Sequence, residues 1–143
     1  MKTHIKSFAL LIVAAIITVC FAACGKSSAA SQVSGKTYAF ESCTVDGEDA
    51  TETITAMYSK QSFSFKDDGT CIQTIVWSDS FAEMMGSSDP IEQSGTYEEK
   101  DNTVKVTFSS NEESTVLEFK IDGETLTVTE DGNVMIYKLQ TNS

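Results

Sequence analysis

From residue 36 onward, apolar and polar residues alternate in short runs divided by Asp-Gly or Asn-containing turns, the pattern of antiparallel strands. Asp122-Gly123 lies between Leu117-Glu118-Phe119-Lys120-Ile121 and Glu124-Thr125-Leu126-Thr127-Val128, and suits a two-residue type I′ loop. That loop sets Phe119 opposite Leu126 and Leu117 opposite Val128. Asp131-Gly132 makes a second such loop, with Val128 opposite Met135 and Leu126 opposite Tyr137. A four-residue turn at Ser110-Asn111-Glu112-Glu113 pairs Val106 with Leu117 and Val104 with Phe119, and Asp101-Asn102 pairs Tyr97 with Val106. Five strands then share one inner face. Its rows read Tyr97, Val106, Leu117, Val128, Met135 and Glu99, Val104, Phe119, Leu126, Tyr137, while Thr107, Glu118, Lys120, Thr125, Thr127 and Lys138 fall outside. A one-residue slip at any hairpin would turn its strand inside out, so the agreement of four turns specifies a meander.

The first half is less regular. Residues 36–45 predict a strand with Tyr38 and Phe40 on one side, and residues 61–66 and 70–77 a hairpin around Asp67-Asp68-Gly69. A two-residue and a three-residue turn both fit there, which leaves the face of Cys71 open. Residues 50–59 suit a short helix presenting Ile54, Met57 and Tyr58, although Thr51, Thr53 and Thr55 also suit a strand. Residues 79–85 predict a helix capped by Asp79 or Ser80, with Phe81, Met84 and Met85 on one face and Gly86 ending it. The only proline, Pro90, falls in the loop that leads to the meander.

Eight antiparallel strands joined mainly by hairpins predict an all-β, up-and-down barrel with one or two short helices, because closure removes exposed sheet edges. The runs Phe63-Ser64-Phe65-Lys66-Asp67-Asp68-Gly69-Thr70, Ser94-Gly95-Thr96-Tyr97 and Ile121-Asp122-Gly123-Glu124-Thr125-Leu126-Thr127-Val128 resemble the pattern of small lipocalin-like domains in bacterial surface lipoproteins. The resemblance covers nearly all of residues 36–139. It implies a barrel that encloses an apolar ligand in some members and has no known ligand in many others.

The start of the chain carries a different signal. Lys2 and Lys6 precede an apolar run from Phe8 to Ala23 broken only by Thr18 and Cys20, and small residues stand before Cys24; these are the n-region, h-region and cleavage site of an export signal. Phe21-Ala22-Ala23-Cys24, followed by Gly25, is similar to the lipobox of bacterial lipoproteins, with Phe21 where an aliphatic residue is usual. The resemblance implies cleavage after residue 23, a diacylglyceryl thioether on Cys24 and residence on the outer face of the cell membrane. Two acyl chains hold a protein there durably. Residues 24–35 are small and polar and predict a flexible tether, so the domain is expected to begin at Lys36.

Charge narrows the function. All ten basic residues are lysines, two of them in the leader, and all 21 acids follow it, so the exported part carries 8 − 21 = −13. Such a surface disfavours nucleic acid and steers basic proteins. The single histidine, His4, lies in the leader, which removes imidazole triads and His-ligated metals from the exported domain. No paired-carboxylate or serine–lysine arrangement is identifiable, so no catalysis and no cofactor are expected.

Cys43 and Cys71 are the candidate disulfide of an exported domain, closing a loop of about 29 residues; two buried thiols are the alternative. The acidic tips at Asp46, Glu48 and Asp49 and at Glu130-Asp131-Gly132-Asn133 follow no calcium-loop spacing. Trp77, Phe81, Met84 and Met85 are the candidate lid over a barrel mouth, either gating a small apolar ligand or packed permanently on the core. Glu99, at the inner end of a strand, is the candidate group for orienting a ligand amine, or else a solvated rim carboxylate. An interior cavity of a few hundred Å3 would favour ligand binding. A core filled by Phe63, Phe65, Val106, Phe108, Leu117, Phe119 and Tyr137 would favour a solid scaffold that binds a protein partner through its outer surface.

Overall fold

The computed structural model describes residues 31–110 and 113–141; the leader, Cys24 and the first part of the expected tether lie outside them. The elements in chain order are β1 (Thr37–Val45), β2 (Glu48–Asp49), α1 (Thr51–Met57), β3 (Tyr58–Phe65), β4 (Thr70–Trp77), α2 (Asp79–Met85), β5 (Ile91–Lys100), β6 (Thr103–Ser110), β7 (Glu113–Asp122), β8 (Thr125–Glu130) and β9 (Asn133–Leu139). Apart from the two-residue β2, which is hydrogen-bonded only to β1, each strand pairs with the next in antiparallel fashion. β1 also pairs with β9 from Tyr38↔Leu139 to Val45↔Asn133, so eight strands close into the expected up-and-down barrel.

The meander keeps its expected faces. Asp131 and Gly132 both have positive φ, at 50° and 82°, as a type I′ loop requires, and Val128 meets Met135 and Leu126 meets Tyr137 as expected. The β5–β6 and β6–β7 registers also match, with Tyr97↔Val106 and Val104↔Phe119. The β7–β8 register differs from the expectation. Its loop is Gly123-Glu124 rather than Asp122-Gly123, so Phe119 faces Val128 and Ile121 faces Leu126. Only the first loop residue, Gly123, has positive φ, the pattern of a II′ turn. The two-residue displacement preserves the inner face and changes only the rows.

The β3–β4 loop is the three-residue alternative. Phe65 pairs with Cys71, which turns Cys71 inward. In β1 the register shifts between Phe40 and Ser42. This bulge at Glu41 lets Tyr38, Phe40 and Cys43 all serve the interior although their spacing is uneven. Residues 51–57 form the helix rather than the strand alternative, with Ile54 buried.

Two apolar clusters fill the barrel. The larger packs Phe63, Phe65, Val104, Val106, Phe108, Leu117, Phe119, Ile121, Leu126 and Tyr137 with Tyr38 and Cys71. Phe63 meets Phe119 and Tyr137 at ring-centroid distances of 5.0 Å, both edge to face, a geometry that adds about 0.5–1.5 kcal/mol per pair beyond burial. The smaller gathers Cys43, Ile54, Tyr58 and Ile75 under α1.

The disulfide expected between Cys43 and Cys71 is absent: both are free, buried thiols. Cys71 pairs with Phe65 at one end of β3, while Cys43 clusters with Tyr58 at the other. Seven strand steps of roughly 3.3 Å separate those ends, against the roughly 7 Å between Cα atoms that a disulfide tolerates.

The expected tether also changes character before Lys36. Val33 is 0% exposed and belongs to the larger cluster, and Gly35 donates its N–H to the Phe65 carbonyl at 2.8 Å. The ordered domain therefore includes residues 31–35, which close the barrel end formed by the β3–β4 and β5–β6 hairpins.

Candidate functional site

The two ends of the barrel are built differently. At the plugged end, Glu99 is engaged by the chain itself: its carboxylate accepts from the Ser31 hydroxyl at 2.6 Å and from the Gln32 N–H at 2.7 Å. The Ser34 hydroxyl donates to Asp67 in the β3–β4 loop. These contacts hold Val33 in the opening. Inside it, the Tyr38 hydroxyl is buried and has no hydrogen-bond partner among the described residues. Burial, and then the Glu99 charge, push its pKa upward. Glu99 sits on the inner face at a strand end, as expected, and its bonds go to the N-terminal segment.

At the other end, α1 lies over the barrel mouth. Beneath it is a small pocket lined by Ile54 and Met57 of α1, Gln61, Gln73, Tyr137 and neighbouring apolar side chains. Its free volume is about 30 Å3, room for a water molecule or two. The Tyr137 hydroxyl donates to Gln61 Oε1 at 3.4 Å, and burial pushes its pKa up. Gln61 and Gln73 were not among the sequence candidates. Each stands in phase with inward residues of its strand, Phe63 and Phe65 for Gln61 and Cys71 and Ile75 for Gln73, a signal that becomes usable once the turn length is known.

The second helix stands beside this mouth. Ser78 is its N-cap, though without a side-chain hydrogen bond to the helix, and Gly86 ends it in the left-handed conformation as expected. Ala82 is its buried residue, whereas Met84 is 74% and Met85 56% exposed. The expected face is thus split. Phe81 stacks on Trp77 at 5.1 Å and Trp77 on Tyr58 at 4.9 Å, continuing an aromatic column from the core to the rim, while the two methionines point outward.

Trp77, at the end of β4, and Phe81 of α2 are therefore brought together, while Met84 and Met85, further along α2, face solvent. Glu99 belongs to the opposite end: Ile91, which pairs with Ile75 near the mouth, and Glu99 are eight strand steps apart, about 26 Å at ~3.3 Å per residue. The acidic tips do meet. Val45 pairs with Asn133, and Asp46 Oδ1 lies 3.4 Å from where a Cβ on Gly132 would stand. Among the described residues, no group of three His, Cys, Asp or Glu side chains has metal-binding geometry.

The class defined by these observations is a closed, eight-stranded antiparallel β-barrel with two short helices at one end. No family model matches the sequence, and no curated protein matches it. A solved structure to which the chain is similar is the fatty-acid-binding protein isolated from Manduca sexta L, at 11% identity, over 75% of this chain and 99% of that one, with a TM-score of 0.37. So distant a likeness assigns no ligand, and the barrel rests on its own strand pairings.

Proposed function

We propose that the protein is a lipid-anchored, extracytoplasmic binding module without catalytic activity, whose barrel is a solid support and whose partner binds on the outside. One observation carries the reading: Phe63, Phe65, Phe108, Phe119 and Tyr137 pack the core of the barrel, and the pocket beneath α1 has about 30 Å3 of free volume, whereas ligand pockets run to about 300–1,000 Å3. The anchor rests on Phe21-Ala22-Ala23-Cys24 followed by Gly25 and on the leader before it. The net charge of the exported part favours a basic partner, and Trp77, Phe81, Met84 and Met85 supply apolar surface at the helical end.

Trp77 is the only tryptophan and lies beside the mouth, so its emission tests the solid-barrel reading directly. Titration with fatty acids, bile acids or haem-like compounds is expected to leave it unchanged. A second reading is favoured by the polar floor of Gln61, Gln73 and Tyr137 beneath α1, which suits a small amphipathic ligand admitted by movement of that helix. A saturable emission shift, weakened by Phe81→Ala, would decide for it. Metabolic labelling with palmitate tests the anchor: label is expected on the wild type and none on Cys24→Ser, and an unlabelled wild type released into the medium would refute it.

A further inference from the structure

The charges of the barrel are divided along its axis. The plugged end gathers the start of β1, the ends of β3, β5, β7 and β9, and the β3–β4, β5–β6 and β7–β8 turns; the helical end gathers the opposite strand ends. Of the seven lysines among the described residues, Lys36, Lys66, Lys100, Lys105, Lys120 and Lys138 lie in the plugged half and only Lys60 in the helical half. The acids are spread the other way. Of the twenty among the described residues, eleven lie in the helical half, from Asp46 after β1 through Asp79 and Glu83 of α2 to Glu130 and Asp131 before β9. Nine lie in the plugged half, counting Glu41 at the middle of β1 with Lys138, to which it is ion-paired at 3.6 Å. The helical half therefore carries 1 − 11 = −10 and the plugged half 6 − 9 = −3.

The chain leaves the domain toward Cys24 at the plugged end. Ser31 and Gln32 are bonded to Glu99, and Val33 is buried next to them, so Ser31 is a fixed point of departure. Seven residue steps separate it from Cys24, at most about 25 Å of fully extended chain. The barrel is about 20 Å long, from eight steps of ~3.3 Å between Ile91 and Glu99 shortened by a strand tilt of about 35–45°. An anchor at Cys24 meets a bilayer beside the plugged end with chain to spare, whereas lowering the helical end onto it would take most of that reach. Charge opposes the same rotation. It would bring the half carrying −10 within a Debye length, about 8–10 Å, of an anionic headgroup layer, in place of the half carrying −3.

We infer that the domain stands on the membrane with its plugged end toward the bilayer and its helical end, where Met84, Met85 and Ile91 are exposed, turned away. Attachment point and charge are independent observations and set the same polarity. The inference rests on the lipid anchor proposed above, and it assigns to the helical end the surface that a basic partner arriving from outside meets first.

The full-length lipidated protein, added to vesicles of phosphatidylcholine and phosphatidylglycerol with an acceptor dye on their headgroups, tests it. A donor dye is placed at Thr141→Cys, an exposed position next to Gln140, which is bonded to Thr37 at the plugged end, or at Ser80→Cys on the exposed side of α2. Cys43 and Cys71 are buried and stay unlabelled in the folded protein. Energy transfer is expected to be several-fold stronger from position 141 than from position 80, and brominated lipid is expected to leave Trp77 emission unquenched. Glu83→Lys together with Glu92→Lys, both at exposed positions of the helical end, is expected to raise transfer from position 80 at low ionic strength, an increase that high salt removes. Equal transfer from the two positions, stronger transfer from position 80, quenching of Trp77, or no response to the charge reversal would each overturn the inference. Absence of both palmitate label and vesicle binding would instead refute the anchor, so the two failures are distinguishable.

Discussion

Gly95 of β5 lies directly against Phe108 of β6: a Cβ built on Gly95 would stand 2.7 Å from Phe108 Cδ1 and closer still to the Thr107 carbonyl oxygen. The contact marks where the β5–β6 ladder ends, with the Phe108 ring occupying the space beside the glycine. One obstructing atom belongs to the backbone and cannot swing aside. Gly95→Ala is therefore expected to destabilise the domain by about 1–3 kcal/mol, measured by urea unfolding. An unchanged midpoint would mean that this contact yields freely.

The N-terminal plug is expected to be part of the stable domain. Val33→Ala removes two buried methyl groups and should cost about 2 kcal/mol. Glu99→Ala should release Ser31 and Gln32 and expose residues 31–35 to protease while the strands stay intact. If cleavage before Lys36 left the unfolding midpoint unchanged, the plug would be an ornament rather than a structural member.

Phe119 is fully buried among Phe63 and Tyr137, so Phe119→Ala should cost about 3–5 kcal/mol. Leu117 also lines the small pocket; Leu117→Ala should fall near the lower end of the 2–5 kcal/mol expected for aliphatic truncation. Thr127, on the outer face, should tolerate alanine within roughly 1 kcal/mol. Equal losses at all three positions would contradict the assignment of faces.

Burial pushes the Cys43 thiol up to about 11 and the Cys71 thiol to about 12, from an ordinary 9.0; the Asp49 charge adds to the shift at Cys43. The native state therefore holds these protons more tightly than the unfolded chain. Their contribution is fully present below pH 9 and is lost as the pH rises toward 11 and 12. Unfolding in urea at increasing alkalinity should show this decline, with a shallower slope for Cys71→Ala. Ellman's reagent should reach both thiols only after unfolding, and reductant should leave the intact mass unchanged. A gain of two hydrogens on reduction would restore the disulfide.

How much of this was legible in the sequence follows from what each signal can encode. Strand alternation and turn chemistry determined which residues of the meander face inward, because a slip of one residue would bury Glu118 and Lys120 and expose Phe119. They could not determine the β7–β8 row, since a displacement of two residues leaves the same face inward; local turn geometry at Gly123-Glu124 decided it. The periodicity of residues 79–85 showed that Phe81, Met84 and Met85 are apolar positions of a helix, but a pattern does not say what covers them. Tertiary placement buried Ala82, stacked Phe81 on Trp77 and left both methionines in solvent.

Val33 was invisible for a related reason: one apolar residue in a small polar run has no period. Its burial arises only when closure brings the hairpins of Glu99 and Asp67 to the same end of the barrel. The cysteine pair failed because spacing along the chain carries no information about which end of β3 each thiol occupies. The sequence by itself determined the faces of the meander, three of its four turns and the closure, all fixed by local conformational preference and burial. The plug, the packed core and the contact of Gly95 with Phe108 depend on distances between residues that only the closed barrel sets.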